Sequence, residues 1–287
     1  MKRYLTLILI TICIIPVLFG SGQKQEKDKD TYKVRIGVMP DAGNLPLLLM
    51  DHVEIVPFMS AKERDVALMA GQIDGISGDL VGLLQFWKNG NNLKVLTTTT
   101  SRFMIVAAKG YSSSITTPDI GISENTVIEF MVDALWPDGS FNKLGIPQVP
   151  VRMEMLKNNK LPLACLTEGM AWPLLEEGYT IIKDQQNTDL TPAVLALSPA
   201  YLSKNEKVVS ILKDEWNNAV NEINTNPDQY RHTLIEQVRL PASSNYPMPQ
   251  YKTITLPNKK TFDLVKSWMI DKYGNDIDVT YNEVVIK

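Results

Sequence analysis

The chain reads as an α/β protein of two lobes, each a largely parallel sheet covered by helices. Three observations carry that reading. Val53 to Gly75 has the order strand, capped helix, second strand, and a βαβ unit of this kind belongs to a parallel sheet. Arg64 to Leu84 and Arg152 to Trp172 then share one order: arginine, apolar helix, turn, short strand, acidic helix start. That is either a duplication or two ordinary βαβ units, since only a fixed period would decide between them. Finally, roughly 260 of the 287 residues remain once a leader is set aside, long for one compact unit and suited to two.

The leader comes first. Met1-Lys2-Arg3 is a charged start, Tyr4 to Phe19 is apolar but for two threonines, and Gly20-Ser21-Gly22 supplies small residues for cleavage. Residues 1–22 therefore read as a secretory signal peptide, the apolar run being shorter than the roughly 20 residues a span wants. Residues 23–31 form a charged tether with almost no apolar content. Without residues 1–22 the formal charge moves from −3 to −5, because Lys2 and Arg3 leave and no acid does. Nothing in that balance argues for nucleic acid.

Strand one is Lys33 to Met39, followed by a loop and a short helix, Leu45 to Met50. Val53, Ile55 and Val56 are β-branched and bounded by Pro57, which suits a strand. Ser60 with Glu63 forms a capping box for the next helix, Gly71 stops it, and Ile73 begins the third strand. Asp79 caps a helix from Leu80 to Lys88, and Leu93 to Thr97 and Phe103 to Ala108 are strands. Beyond Gly121 to Ser123, the end of a strand, Ser123 or Asn125 caps a helix reaching Leu135, halted by Pro137. Val149 to Val151 reads as a strand, Met153 to Asn158 as a helix and Leu161 to Thr167 as a strand. Glu168 to Gly178 follows as a helix, with strands at Tyr179 to Ile182 and Val194 to Leu197. The remainder is helical at Lys204 to Asn224, Asp228 to Val238 and Thr261 to Tyr273, with Tyr251 to Leu256 as an edge strand.

The catalytic inventory is thin. The two histidines, His52 and His232, stand beside no nucleophile in the pattern, and no HExxH, CxxC, GxSxG, phosphate loop or dinucleotide fingerprint occurs. No spacing suggests a metal site, and no cofactor is implied. Cys165, in the run Leu163 to Leu166, reads as a buried structural thiol. What remains is polar residues at strand-to-helix corners, where unpaired amides and a partial positive charge suit anionic groups. The binding candidates are Asp41, Asn44, Ser60, Asp79 and Thr100 from the first block. Ser123, Asn125, Thr126 and Glu168 come from the second, with Trp172 on the helix face of Glu168. Each alone reads as a helix cap, and for Ser60 the capping box makes that plainest. Together, corners from both blocks facing one crevice make a binding cleft. Met39, Phe58, Met59 and Trp136 join Trp172 as wall candidates.

Several of these segments resemble ABC-transporter substrate-binding proteins of the NMT1/THI5-like, SsuA-like group, whose ligands are nitrate, sulfonates, taurine and thiamine precursors. The matching residues are the Leu45-Pro46 corner, Val53 to Pro57, Glu63-Arg64-Asp65 leading into Ala70 to Gly75, Arg102 to Ala107 and Gly121 to Glu129. The resemblance implies a two-lobed type II periplasmic-binding-protein fold, each lobe a mixed, mainly parallel sheet with flanking helices. It implies one lobe over residues 32–106 with 198–287 and the other over 107–197, with Phe103 to Ala108 and Val194 to Ser198 as hinge strands. It further implies a monomer exported from the cytoplasm, closing on a small anionic or heteroaromatic ligand and delivering it to an ABC permease. Leu18-Phe19-Gly20 resembles a bacterial lipoprotein signal, with Ser21 where the lipid-bearing cysteine belongs. The second lobe departs from the group's pattern, with Pro162 where an aspartate belongs and no proline on either side of Glu168. The alternative is an enzyme on the same fold, acting on a pyrimidine or menaquinone-type precursor, with Glu168 or Asp79 as acid or base.

Overall fold

The computed structural model describes residues 33–286, apart from Glu206 and Asn275. The leader, the tether and the Ser21 corner lie outside the described residues. The strands, in chain order, are β1 (Val34–Val38), β2 (Val53–Pro57), β3 (Gly75–Asp79), β4 (Lys94–Thr98) and β5 (Phe103–Ala107), then β6 (Asp119–Ile122), β7 (Asn142–Gly145), β8 (Leu163–Thr167), β9 (Thr180–Asp184) and β10 (Ala193–Leu197). The helices are α1 (Ala61–Met69), α2 (Leu80–Lys88), α3 (Val127–Leu135), α4 (Val149–Lys157) and α5 (Glu168–Glu176), then α6 (Pro199–Leu202), α7 (Val208–Thr225), α8 (Pro227–Gln237), α9 (Lys259–Tyr273) and α10 (Tyr281–Val284).

Two five-stranded sheets share one plan. The first has the order β2-β1-β3-β10-β4 and the second β7-β6-β8-β5-β9. In each, the strand next to one edge runs against its neighbours: β10 is antiparallel to β3 and β4, and β5 to β8 and β9. That strand is always lent by the other half of the chain. Both lent strands are apolar and buried along their whole length, as a strand covered on two faces must be. The chain thus passes between sheets at residues 99–102 and 185–192. The sequence reading put hinges inside Phe103–Ala108 and Val194–Ser198, with Phe103 to Val106 in the first lobe and Ala193 to Leu197 in the second. The ladders place β5 wholly in the second sheet and β10 wholly in the first, because each pairs on both edges there.

The two related stretches occupy equivalent positions, α1-β3-α2 and α4-β8-α5. The likeness extends to side chains. Gly37 on β1 leaves room for Ile73 and for Arg64 of α1, and Gly121 on β6 does the same for Leu161 and Arg152 of α4. Gly75 is tighter still: a Cβ there would stand 2.6 Å from the Ala196 carbonyl oxygen and 2.8 Å from Ile36 and Leu197. Backbone cannot step aside as a side chain can. Gly75→Val is therefore expected to cost about 3 kcal/mol, read as a lowered urea midpoint; an unchanged midpoint would refute the close approach.

Local differences from the sequence reading have physical causes. Leu45 to Met50 lies within a 3₁₀ helix, Ala42–Leu49, with Pro46 inside it. Val149 to Val151 opens α4, since Pro150 suits a first helical turn, and the strand of that region is β7. Thr126, rather than Ser123 or Asn125, caps α3. The helix read from Lys204 begins at Val208. Ser60 accepts the Glu63 amide at 3.3 Å, so its half of the capping box is present. Tyr251 to Leu256 forms no strand. Its backbone is held by side chains of α7: Asn224 accepts the Tyr251 amide at 3.1 Å and Asn217 the Ile254 amide at 2.7 Å.

A buried apolar cluster runs from α2 and β3 of the first sheet into α3 and β8 of the second. On that side α9 reaches across to α3: Trp268 donates to Asp133 at 2.8 Å, and Lys272 pairs with Glu129 at 2.6 Å. On the other side the segment at Ser244–Tyr246 reaches α5, where Ser244 and the Asn245 amide both donate to Glu176, at 3.0 and 2.8 Å. The sheets are tied together at both flanks. Among the described residues no helix is long and apolar enough to cross a membrane.

Candidate functional site

Where the chain passes between the sheets, it leaves a cavity of about 640 Å³. Its floor is the first passage, Thr98 to Arg102, lying beside the second: the Thr99 amide donates to the Ala193 carbonyl at 3.1 Å, and the Phe103 amide to Gln185 Oε1 at 3.1 Å. Glu168 and Trp172 of α5 form one wall, one helical turn apart as their spacing requires. Trp216 of α7 and the stretch Pro247 to Gln250 form another.

The polar corner of this cavity is organised by Arg102. Its guanidinium donates to Glu168 at 2.5 Å and to Asp184 at 2.7 Å, the latter closing β9. The Tyr246 hydroxyl donates to the other Glu168 oxygen at 3.2 Å, and the Tyr246 ring meets Trp172 edge-on at 5.4 Å. Burial raises the Glu168 carboxyl above its ordinary value although Arg102 opposes the shift. Burial pushes the Tyr246 and Tyr251 phenols up as well, helped in both by the charges of Glu168 and Asp41.

Asp41 heads the 3₁₀ turn behind this floor. Its Oδ1 accepts the Gly43 amide at 2.7 Å and the Ser101 hydroxyl at 2.6 Å. Burial raises its carboxyl too, since these two hydrogen bonds only partly compensate for lost water. The Tyr251 hydroxyl closes the corner by donating to the Ala42 carbonyl at 2.9 Å.

Of the residues marked in the sequence, Thr100, Glu168 and Trp172 line the cavity, and Asp41 joins it through Ser101. Asn44 is wholly buried and donates to the Met39 carbonyl at 2.7 Å. Asp79 caps α2 by accepting the Gly82 amide at 2.8 Å, and burial raises its carboxyl. Ser123, Asn125 and Thr126 gather at the start of α3, away from the cavity lining. There the Asn125 carbonyl accepts from Gln85 of α2 at 2.7 Å, and the Thr126 hydroxyl donates to the Ser123 carbonyl at 2.6 Å. Asn125 has φ 54°, a left-handed conformation that asparagine tolerates better than most. Ser60 serves α1 as a cap. Among the other wall candidates, Met59 is exposed, Phe58 packs against the core and Trp136 stacks edge-on with Phe141.

Arg102, Asp184, Gln185, Tyr246 and Tyr251 went unmarked in the sequence. Arg102 had a signal: it is the one charge between a threonine run and an apolar strand. The tyrosines sit in Tyr246-Pro-Met-Pro-Gln-Tyr251, an aperiodic stretch whose aromatics have no helix or strand face to occupy. Cys165 is fully buried and burial pushes its thiol up to about 12, which suits the structural reading. Among the described residues no group of three or more histidine, cysteine, aspartate or glutamate side chains is placed to hold a metal ion.

No family model and no curated protein matches the chain. Solved structures do. The periplasmic aliphatic sulphonate binding protein SsuA from Escherichia coli superposes with a TM-score of 0.72 at 14% identity, over 89% of this chain and 92% of that one. The ligand binding component of an ABC-type import system from Staphylococcus aureus, with zinc bound, gives 0.69 at 15% identity over 88% and 96%. The periplasmic nitrate-binding protein NrtA from Synechocystis gives 0.66 at 12% identity over 88% and 84%. The chain carries their fold. The two-lobed architecture with crossed strands is therefore common ground, while the side chains in the cleft are this protein's own.

Proposed function

We propose that the chain is an extracytoplasmic solute-binding protein, holding a small molecule between its two sheets and handing it to an ABC permease. One observation carries the reading: the 640 Å³ cavity lies where the chain crosses between the sheets, and its walls come from both. A ligand filling it touches Thr99 to Arg102 at the crossing, Glu168 and Trp172 from the second sheet's helices and Trp216 from the first's. Such contacts exist only when the sheets are drawn together, so binding favours the closed form over an open one. The fold shared with import-system binding proteins supports the transport role, and the charged start and apolar run of residues 1–22 support export.

The test is the mass of the purified chain, taken from Gln23, under native and denaturing conditions. An additional small-molecule mass in the native spectrum alone is the expected result. A bare protein mass, together with turnover of an added pyrimidine or quinone precursor, would replace binding with catalysis.

A further inference from the structure

The cleft has more negative charge than its own positive groups can match. Glu168 and Asp184 share a single guanidinium, that of Arg102. Asp41 stands behind Ser101, its Oδ1 taken by Gly43 and Ser101, and among the described residues no cation pairs with it. Three carboxylates against one guanidinium leave two negative charges around the floor. The other cation on the wall, Lys252, is exposed, and solvent screens it.

A second, independent observation concerns hydrogen bonds. Asn44, wholly buried in the turn that Asp41 heads, has an Oδ1 without a donor. Thr100 Oγ1, on the cavity wall, is buried without any partner. Buried polar atoms are nearly always satisfied, and leaving one unpaired is costly. Arg102 Nε on the same lining is buried without a partner too, so the unpaired atoms ask for a polar group in the cleft, and the carboxylate excess sets the sign of its charge as positive.

The helix starts around the cleft point the same way. An anion in a fold of this kind would sit on free helix amides. Here Asp41 caps the 3₁₀ turn behind the floor and Glu168 stands in the first turn of α5, so an incoming anion meets carboxylates first. Trp172 and Trp216 on the walls suit an apolar body and a cation alike.

We propose that the cleft selects a small organic cation, a primary ammonium on a compact apolar body, with Asp41, Glu168 and Asp184 as its counter-charges. This rests on the solute-binding reading and names the ligand class it left open. Burial holds Asp41 above ordinary carboxylate values, and Glu168 as well although it shares Arg102 with Asp184.

Calorimetric titration of the purified chain with benzylamine and with benzenesulfonate, at neutral pH and low salt, tests it. The two probes share a ring and differ in the sign of the charged group. Benzylamine is expected to bind at least about tenfold tighter, a difference of about 1.4 kcal/mol. Asp41→Asn keeps a cap acceptor and should weaken benzylamine about tenfold while its melting temperature stays level or rises; Asp184→Asn provides a second reading should the first variant fold poorly. Tighter binding of benzenesulfonate would overturn the cation and leave a solute-binding protein. Benzylamine affinity unchanged in both variants would overturn it as well. If neither probe binds at millimolar concentration the cation proposal falls, and the co-purified mass decides the solute-binding reading separately.

Discussion

Glu129→Ala should destabilise the chain by about 1–3 kcal/mol and loosen the contact between the sheets. Glu129 lies on α3 and is almost fully buried, yet it collects charge from both sides of the cleft. Lys272 of α9 pairs with it at 2.6 Å and Lys143 of β7 at 3.5 Å, the Asn125 amide donates at 2.8 Å, and the Tyr273 hydroxyl donates as well. Truncation takes the acceptor from the Tyr273 hydroxyl and leaves Lys143 and Lys272 with Asp133 alone, at 2.5 and 3.2 Å. It also loosens Asn125, left with the Tyr273 hydroxyl at 3.1 Å, whose carbonyl receives Gln85 of the first sheet's α2. Urea unfolding reads the loss of stability, and small-angle scattering reads the radius of gyration, which should rise. A loss under 1 kcal/mol with unchanged dimensions would show that α9 and α3 merely touch.

The same cluster gives a pH dependence with a definite sign. Burial alone would raise the Glu129 carboxyl, but hydrogen bonds from Lys272 and Tyr273 outweigh it and hold the group below its unperturbed 4.5. A carboxyl lowered in the folded state adds stability that is present above 4.5 and fades as pH falls through the folded value. Asp41 and Glu168 have the opposite sign: raised in the folded state, they favour the acid side and cost stability as pH rises past their folded values. The clamp between the sheets therefore gains from a pH above 4.5, while the cleft carboxylates pull the other way.

What the sequence disclosed follows from the range over which each signal acts. Ser60, Asp79 and the strand ends around them were legible because a helix cap is a local event, decided within four residues. The crossed strands were legible as apolar runs but not as exchanges between sheets. Phe103 to Ala107 looks the same whichever sheet receives it, and only its two partners, β8 and β9, settle membership. For Val149 to Val151, β-branching argued for a strand, while the turn preference of Pro150 won and started α4. The site was legible in halves. Glu168 and Trp172 share a helix face, so spacing placed them together; Arg102 meets Glu168 across 66 residues and Asp184 across 82, Tyr246 meets Glu168 across 78, and no periodicity reports a contact of that kind.

The stretch from Ser244 to Leu256 shows the cost of that blindness, and Trp216 is the place to measure it. Read as an edge strand, Tyr251 to Leu256 would find its hydrogen bonds in a ladder. In the structure the Thr255 carbonyl accepts the Thr98 amide of β4 at 2.7 Å, and the backbone before it is fastened to one face of α7: Trp216 Nε1 donates to the Lys252 carbonyl at 3.0 Å, Asn224 donates to the Tyr251 carbonyl at 2.9 Å and Asn217 accepts the Ile254 amide at 2.7 Å. Trp216 both fills the core, at 2% exposure, and walls the cavity. Trp216→Ala should therefore cost about 3–5 kcal/mol, from lost burial and the void left behind. Trp216→Phe, which keeps most of the volume and loses the N–H, should cost nearer 1 kcal/mol. The fastening makes a further demand that packing alone does not. Tyr246 and Tyr251 are carried by the segment that Trp216 holds, and they supply the hydroxyls at Glu168 and at the Asp41 turn. Ligand affinity should thus fall in Trp216→Phe by more than its modest loss of stability explains, measured by titration well below its unfolding midpoint. Equal affinity in Trp216→Phe and the parent chain would mean that the asparagines and the end of β4 hold the segment without the indole N–H, and that the indole belongs to the core.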